Sequence, residues 1–95
     1  MSVVIDTAVA ALRAKMPNGF DGVAKFVFVD EGAIMIDADG VREGDAPADV
    51  TLTAEAEVFR DMLDGALNPT TAFMTGRLKV DGSMGLAMQL GAAMS

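Results

Sequence analysis

Ninety-five residues, a net charge of −7, no cysteine and no histidine describe one small domain without disulfides, thiolate nucleophiles, imidazole bases or the usual zinc, copper and haem ligands. Seven basic residues against fourteen acidic ones, with no basic cluster, argue against nucleic acid as a partner and against electrostatic docking on anionic lipid. Yet 52% of the residues are hydrophobic and eight are Met, more apolar material than the modest core of so small a domain needs.

In chain order, Ile5, Val9, Leu12 and Met16 recur at helical spacing and make the apolar stripe of a first helix, which Ser2 can cap and Pro17-Asn18-Gly19 stops. Val23 to Val29 is rich in β-branched and aromatic residues. With the turn Asp30-Glu31-Gly32 and the return Ala33 to Asp37, it reads as a hairpin that places Phe26 and Phe28 on one side and Lys25 and Val27 on the wetter side. Asp37 to Pro47 is a polar loop or a short edge strand around Val41, and Ala48 to Thr53 is a further strand. Thr53 is expected to cap a second helix whose Phe59, Met62 and Leu63 face the core and which Gly65 ends. Asn68 and Pro69 open a short third helix, and Gly76 closes it. Arg77 to Val80 alternates as a half-buried strand with Arg77 and Lys79 outward. Asp81-Gly82-Ser83 then turns into a last helix from Met84 to about Met94. Grouped strands and helices indicate an α+β sheet with helices on one face.

Catalytic chemistry is poorly supplied. A Ser or Thr nucleophile needs a positioned base, and Lys25 and Lys79 both read as outward strand residues. The acidic Asp37-Ala38-Asp39-Gly40 does not follow an EF-hand, whose glycine comes sixth and whose ligands alternate, and Arg42 supplies a counter-charge there. Gly82-Ser83-Met84-Gly85 lacks the lysine of a phosphate-binding loop. The last helix is the informative element, because its clearly polar side chain is Gln89 alone. A helix apolar all round is buried, spans a membrane or packs on two things at once, and this one is far below the ~20 residues needed to span. One face can pack on the sheet, and the other needs a ligand, a partner chain or another helix, the first or the short third helix being able to cover it. Leu86, Leu90 and Met94 form one face; Met84, Met88 and Gly91 form the other.

The stretch from Asn68 to Leu90 carries Asn68-Pro69, Ala72-Phe73, Gly76-Arg77-Leu78-Lys79-Val80, Gly82, Met84-Gly85-Leu86-Ala87-Met88 and Leu90. It resembles the signature end of the sterol carrier protein type 2 family, and Ala48 to Thr53 resembles that family's strand before its second helix. The resemblance covers most of the chain from about Gly22. It implies a mixed five-stranded sheet covered on one face by helices, with a hydrophobic tunnel between the layers. It also implies loose binding of sterols, fatty acids, acyl-CoA or phospholipids; some bacterial relatives hold isoprenoid quinone precursors.

Residues 1–95 are accordingly expected to form one non-catalytic domain that carries an elongated apolar lipid without cofactor or metal. Ile5, Val9, Leu12, Phe26, Phe28, Phe73, Met74, Met84, Met88 and Leu90 are the candidate ligand-binding residues. The alternative is an interaction module, or a homodimer, built on the apolar C-terminal helix. Without a signal peptide, a membrane span or a peroxisomal tail the expected location is the cytoplasm, with at most transient membrane contact. Burying a sixteen-carbon chain has ~12 kcal/mol of gross driving force, and the costs of association reduce this to an expected micromolar affinity, about −8 kcal/mol.

Overall fold

A computed structural model describes residues 3–94, so the expected cap at Ser2 lies outside the described residues. The elements run α1 (Val3–Lys15), β1 (Ala24–Phe28), β2 (Gly32–Asp37), β3 (Gly40–Glu43), β4 (Val50–Ala54), α2 (Ala56–Leu63), α3 (Pro69–Met74), β5 (Lys79–Gly82) and α4 (Met84–Met94). The strands form one sheet in the order β3-β2-β1-β4-β5. Only β1 and β4 pair in parallel, Ala24 opposite Val50 through Phe28 opposite Ala54; the other neighbours are antiparallel. This is the mixed five-stranded α+β sheet with helices on one face that the sequence implied.

Two tight turns set the register of the first three strands. Asp30 takes a left-handed conformation (φ 64°), which a short polar side chain tolerates, and Glu31 N–H donates to Phe28 O at 2.9 Å. Between β2 and β3 the Asp37 carboxylate accepts from Asp39 N–H at 3.0 Å and receives both guanidinium nitrogens of Arg42, at 3.0 and 2.8 Å. That pairing holds the Asp37 carboxyl below its ordinary value of 3.8, chiefly through the Arg42 hydrogen bond.

The core lies on the helix-covered face. Along β1, Ala24, Phe26 and Phe28 are buried while Lys25 and Val27 between them are half-buried, and β4 repeats the pattern with Val50, Leu52 and Ala54. Ile34, Ile36 and Val41 complete this face. α1 lays Ile5, Ala8, Leu12 and then Met16 on it, so Ala8 takes the place expected of Val9, which is half-buried. Arg13 Nε donates to Val41 O at 3.0 Å and ties α1 to the edge strand β3. From α2 comes Phe59, whose ring stacks on Phe28 (centroids 4.3 Å apart) and Phe26 (5.2 Å).

Among the described residues no helix lies on the opposite face of the sheet, but that face is not bare. Met35 pairs with Lys25 on that side and is buried there. The segment after β3 folds over it: Gly44 N–H donates to Ala33 O at 3.0 Å, and Lys25 Nζ meets Asp45 at 2.8 Å.

Several boundaries differ from the expected ones: β4 starts at Val50 rather than Ala48, and Asp81 and Gly82, expected in a turn, extend β5 by pairing with Thr51 and Val50. Thr53 does not cap α2, because β4 continues through Ala54 in pairing with Phe28. The cap position is Glu55, whose side chain makes no capping hydrogen bond. The last strand begins two residues later than expected, because Arg77 and Leu78 donate their N–H groups to Ala72 O (2.9 and 3.1 Å) and belong to the turn beneath α3.

Candidate functional site

The C-terminal third builds a cleft at the β5 side of the sheet. Asn68 Oδ1 accepts from Thr70 N–H at 2.8 Å and Thr71 N–H at 3.4 Å, with Pro69 at the first helical position, so α3 starts at a defined point. Ser83 Oγ accepts from Leu86 N–H at 3.2 Å and starts α4 in the same way. α4 faces α3 at Gly91, where an added methyl would make ordinary contact with the Pro69 ring at 3.6 Å. Between them and the sheet lies a cleft of about 460 Å³. Leu52 and Val80 supply its floor, Asn68, Pro69, Thr70 and Phe73 one wall, Met84, Ala87, Met88, Gly91 and Ala92 the other, and Met62, Leu78 and Met94 the interior.

α4 divides its apolar surface as its periodicity suggested. Leu90 and Met94 are buried, and Leu86 packs against the core. Met84 and Met88 turn to the cleft and to solvent, with Met88 74% exposed. The chemistry of the lining is uniform. None of its described residues is Asp, Glu, Lys or Arg, and its polar side chains are Asn68 and Thr70. Such a surface removes apolar groups from water and contacts them by dispersion; it offers no nucleophile paired with a base.

Of the candidate residues named from the sequence, the structure gathers Phe73, Met84 and Met88 in this cleft. Met74 is 78% exposed on the neighbouring turn of α3, outside the lining. Ile5, Leu12, Phe26 and Leu90 are fully buried in the packed core, and Val9 packs against it from a half-buried position. Phe28 also reaches a second groove of about 440 Å³ between α1 and α2, lined by Val3, Val4, Ala8, Ala11, Ala56 and Leu63 with Glu57, Arg60 and Asp64 at its polar side. Sequence reasoning did not place Leu52, Val80 or Thr70 at a site, and it read Gly91 only as part of the second face of the last helix. Asn68 was read only as a cap. The alternation of Leu52 and Val80 marked an inward face without indicating that the cleft lies above it.

A mixed sheet roofed by helices, with an uncharged apolar cleft where the last helix meets the last strand, defines a small α+β domain built around an apolar recess. The pattern of the SCP-2 sterol transfer family matches residues 7–95, and the chain belongs to that family. It is 35% identical over 98 residues to hydroxysteroid dehydrogenase-like protein 2 of Danio rerio, an alignment covering 95% of this chain and 24% of that one. The chain thus spans less than a quarter of the length of the curated relatives it matches. Among solved structures, the sterol carrier protein domain 2 of Helicoverpa armigera superimposes with a TM-score of 0.75 at 28% identity, over 96% of this chain and 84% of that one. Sterol carrier protein 2 of Aedes aegypti, solved in complex with palmitate, superimposes with a TM-score of 0.81 at 22% identity, over 100% and 97% of the two chains. No helix among the described residues is long and apolar enough to cross a membrane.

Proposed function

We propose that this domain binds and carries an elongated apolar lipid, without catalysis, in the cleft between α3, α4 and the β5 side of the sheet. The carrying observation is the cleft itself: about 460 Å³ lined by Leu, Val, Phe and Met with no charged side chain, within the range of small-molecule sites. Membership of a sterol transfer family and the palmitate held by the Aedes aegypti structure support the reading. Phe73, Met84 and Met88 touch the ligand, and Met74 stands at the rim. A longer ligand extends the cleft into a tunnel as the helices part from the sheet, which brings Phe26, Phe28, Leu90 and α1 residues Ile5, Val9 and Leu12 to its wall. Methionine suits a wall that must fit both the filled and the collapsed state. The reading includes a cytoplasmic location and transient membrane contact during loading.

The test is native mass spectrometry of the purified protein, followed by titration with a fluorescent fatty acid. A co-purified lipid, or binding in the micromolar range (about −8 kcal/mol), is expected. Absence of both overturns the reading. A second reading has one observation in its favour: Phe73, Met74, Met84 and Met88 are all exposed around the cleft, as on a surface that docks a partner helix or a second copy. A lipid-free dimer in the same spectrum supports that reading instead.

A further inference from the structure

The chain has no Cys, Trp, Tyr or His, but eight Met. Its readily oxidised side chains are therefore all methionine, whose thioether a peroxide converts to the sulfoxide. Met1 lies outside the described residues, and the other methionines fall into two separate groups. Met16, Met35, Met62 and Met94 are 5% exposed or less, whereas Met84, Met88 and Met74 are 49, 74 and 78% exposed. The exposed three all stand on α3 and α4. Met84 and Met88 line the cleft, and Met74 does not. Met62 and Met94 line it too, but from its closed interior. A dissolved peroxide thus reaches the cleft wall and is kept from the core. The sulfur lone pair attacks one peroxide oxygen, so that an S–O bond forms and the O–O bond breaks. Sulfur gives up two electrons, and the proton on the transferred oxygen passes to the departing hydroxide, which leaves as water. The wall then carries a polar side chain where it had a flexible apolar one. The facing Leu52, Leu78 and Val80 side chains offer that new oxygen no donor, so it stays in water and the side chain no longer lies along an acyl chain.

We propose that Met84 and Met88 form a redox-sensitive modification site, at which oxidation by a hydroperoxide releases the lipid and leaves the fold intact. The proposal rests on the lipid-binding reading above and adds regulation of the same cleft. Neither side chain belongs to the packed core, which is why the fold tolerates the change. A bound lipid covers both sulfurs and slows their oxidation, so the filled cleft resists an oxidant that the empty one does not. Methionine sulfoxide reductases reverse the modification.

The experiment exposes the full chain to hydrogen peroxide for a limited time, with and without a saturating fluorescent fatty acid, and locates the added oxygen by peptide mass spectrometry. Without lipid, Met74, Met84 and Met88 are expected to oxidise first and Met16, Met35, Met62 and Met94 to stay unmodified. With lipid, Met84 and Met88 should react several-fold more slowly while Met74 keeps its rate. The oxidised protein should bind the fluorescent fatty acid about tenfold more weakly, with an unchanged circular dichroism spectrum and urea midpoint. A double variant, Met84→Leu with Met88→Leu, keeps apolar side chains of similar size that a peroxide does not oxidise. After peroxide it should hold its affinity to within about twofold, which assigns the loss to these two sulfurs rather than to Met74. Undiminished affinity in the oxidised chain, an equal loss in the double variant, oxidation of Met62 or Met94 as fast as Met88, or no protection by a lipid that does bind overturns the proposal and leaves lipid binding in place. Failure of the unoxidised chain to bind the fatty acid at all overturns the underlying reading and the proposal with it.

Discussion

The two faces of α4 make the sharpest prediction, because neighbouring residues should respond to truncation in opposite ways. Leu90 is fully buried and Met88 is 74% exposed. Leu90→Ala removes buried methyl groups and leaves a cavity, at a cost of ~2–5 kcal/mol. Met88 keeps only about a quarter of its surface from water, so Met88→Ala should cost at most ~0.4–0.8 kcal/mol, a quarter of the ~1.5–3 kcal/mol that full burial of such a side chain is worth. Its effect should appear in binding instead. Losing the methylene and methyl contacts to an acyl chain removes ~1 kcal/mol, about a fivefold loss of affinity. The chain has neither Trp nor Tyr, so stability is best followed by far-UV circular dichroism in urea, and binding by titration with a fluorescent fatty acid. A Met88→Ala protein that loses more than ~2 kcal/mol, or that binds lipid as tightly as the parent, refutes the assignment of this face to the ligand.

Phe59→Ala should be among the most damaging single changes, ~3–5 kcal/mol in urea unfolding, since its ring joins α2 to both Phe26 and Phe28. Asn68→Ala should cost ~1 kcal/mol through loss of the α3 cap, whereas Asn68→Asp keeps the acceptor and should retain most of it; equal losses in the two variants would contradict the cap. Arg42→Gln should let the Asp37 pKa rise toward its ordinary value of 3.8, followed by NMR titration. The folded-state pKa of Asp37 is depressed, so its contribution is present above the unfolded value and lost as pH falls through the folded one. The variant should therefore show a flatter stability profile at acid pH.

Much of this fold is legible in local chemistry. The hairpin from Ala24 to Asp37 combines aromatic and β-branched strands with a turn that needs Asp and Gly. The start of α3 is legible because Asn68-Pro69 satisfies two independent helix-start preferences. What escapes local reading is decided by distant partners. Thr53 is a good capping residue by type, but the parallel pairing of β1 with β4 keeps it in the strand. Arg77 and Leu78 alternate as strand residues should, yet Ala72 O takes both of their N–H groups. Met35 is apolar and buried, but it lies on the face away from the helices, under the Gly44–Asp45 segment, which composition alone would leave in solvent. In the cleft, the apolar excess of α4 was visible. Which lines of it meet sheet and which meet the recess depends on where α3 stands, a tertiary placement that the periodicity of α4 does not carry.

Both margins of the sheet are short. β3 offers four residues, Gly40 to Glu43, and β5 four, Lys79 to Gly82. Each carries a charge of either sign: Arg42 and Glu43 on one, Lys79 and Asp81 on the other. Outer strands of this kind are poor templates for a further strand, because a docking chain gains few backbone hydrogen bonds and must place its side chains beside those charges. Polymerisation by strand addition is thereby discouraged even in a molecule so rich in apolar residues.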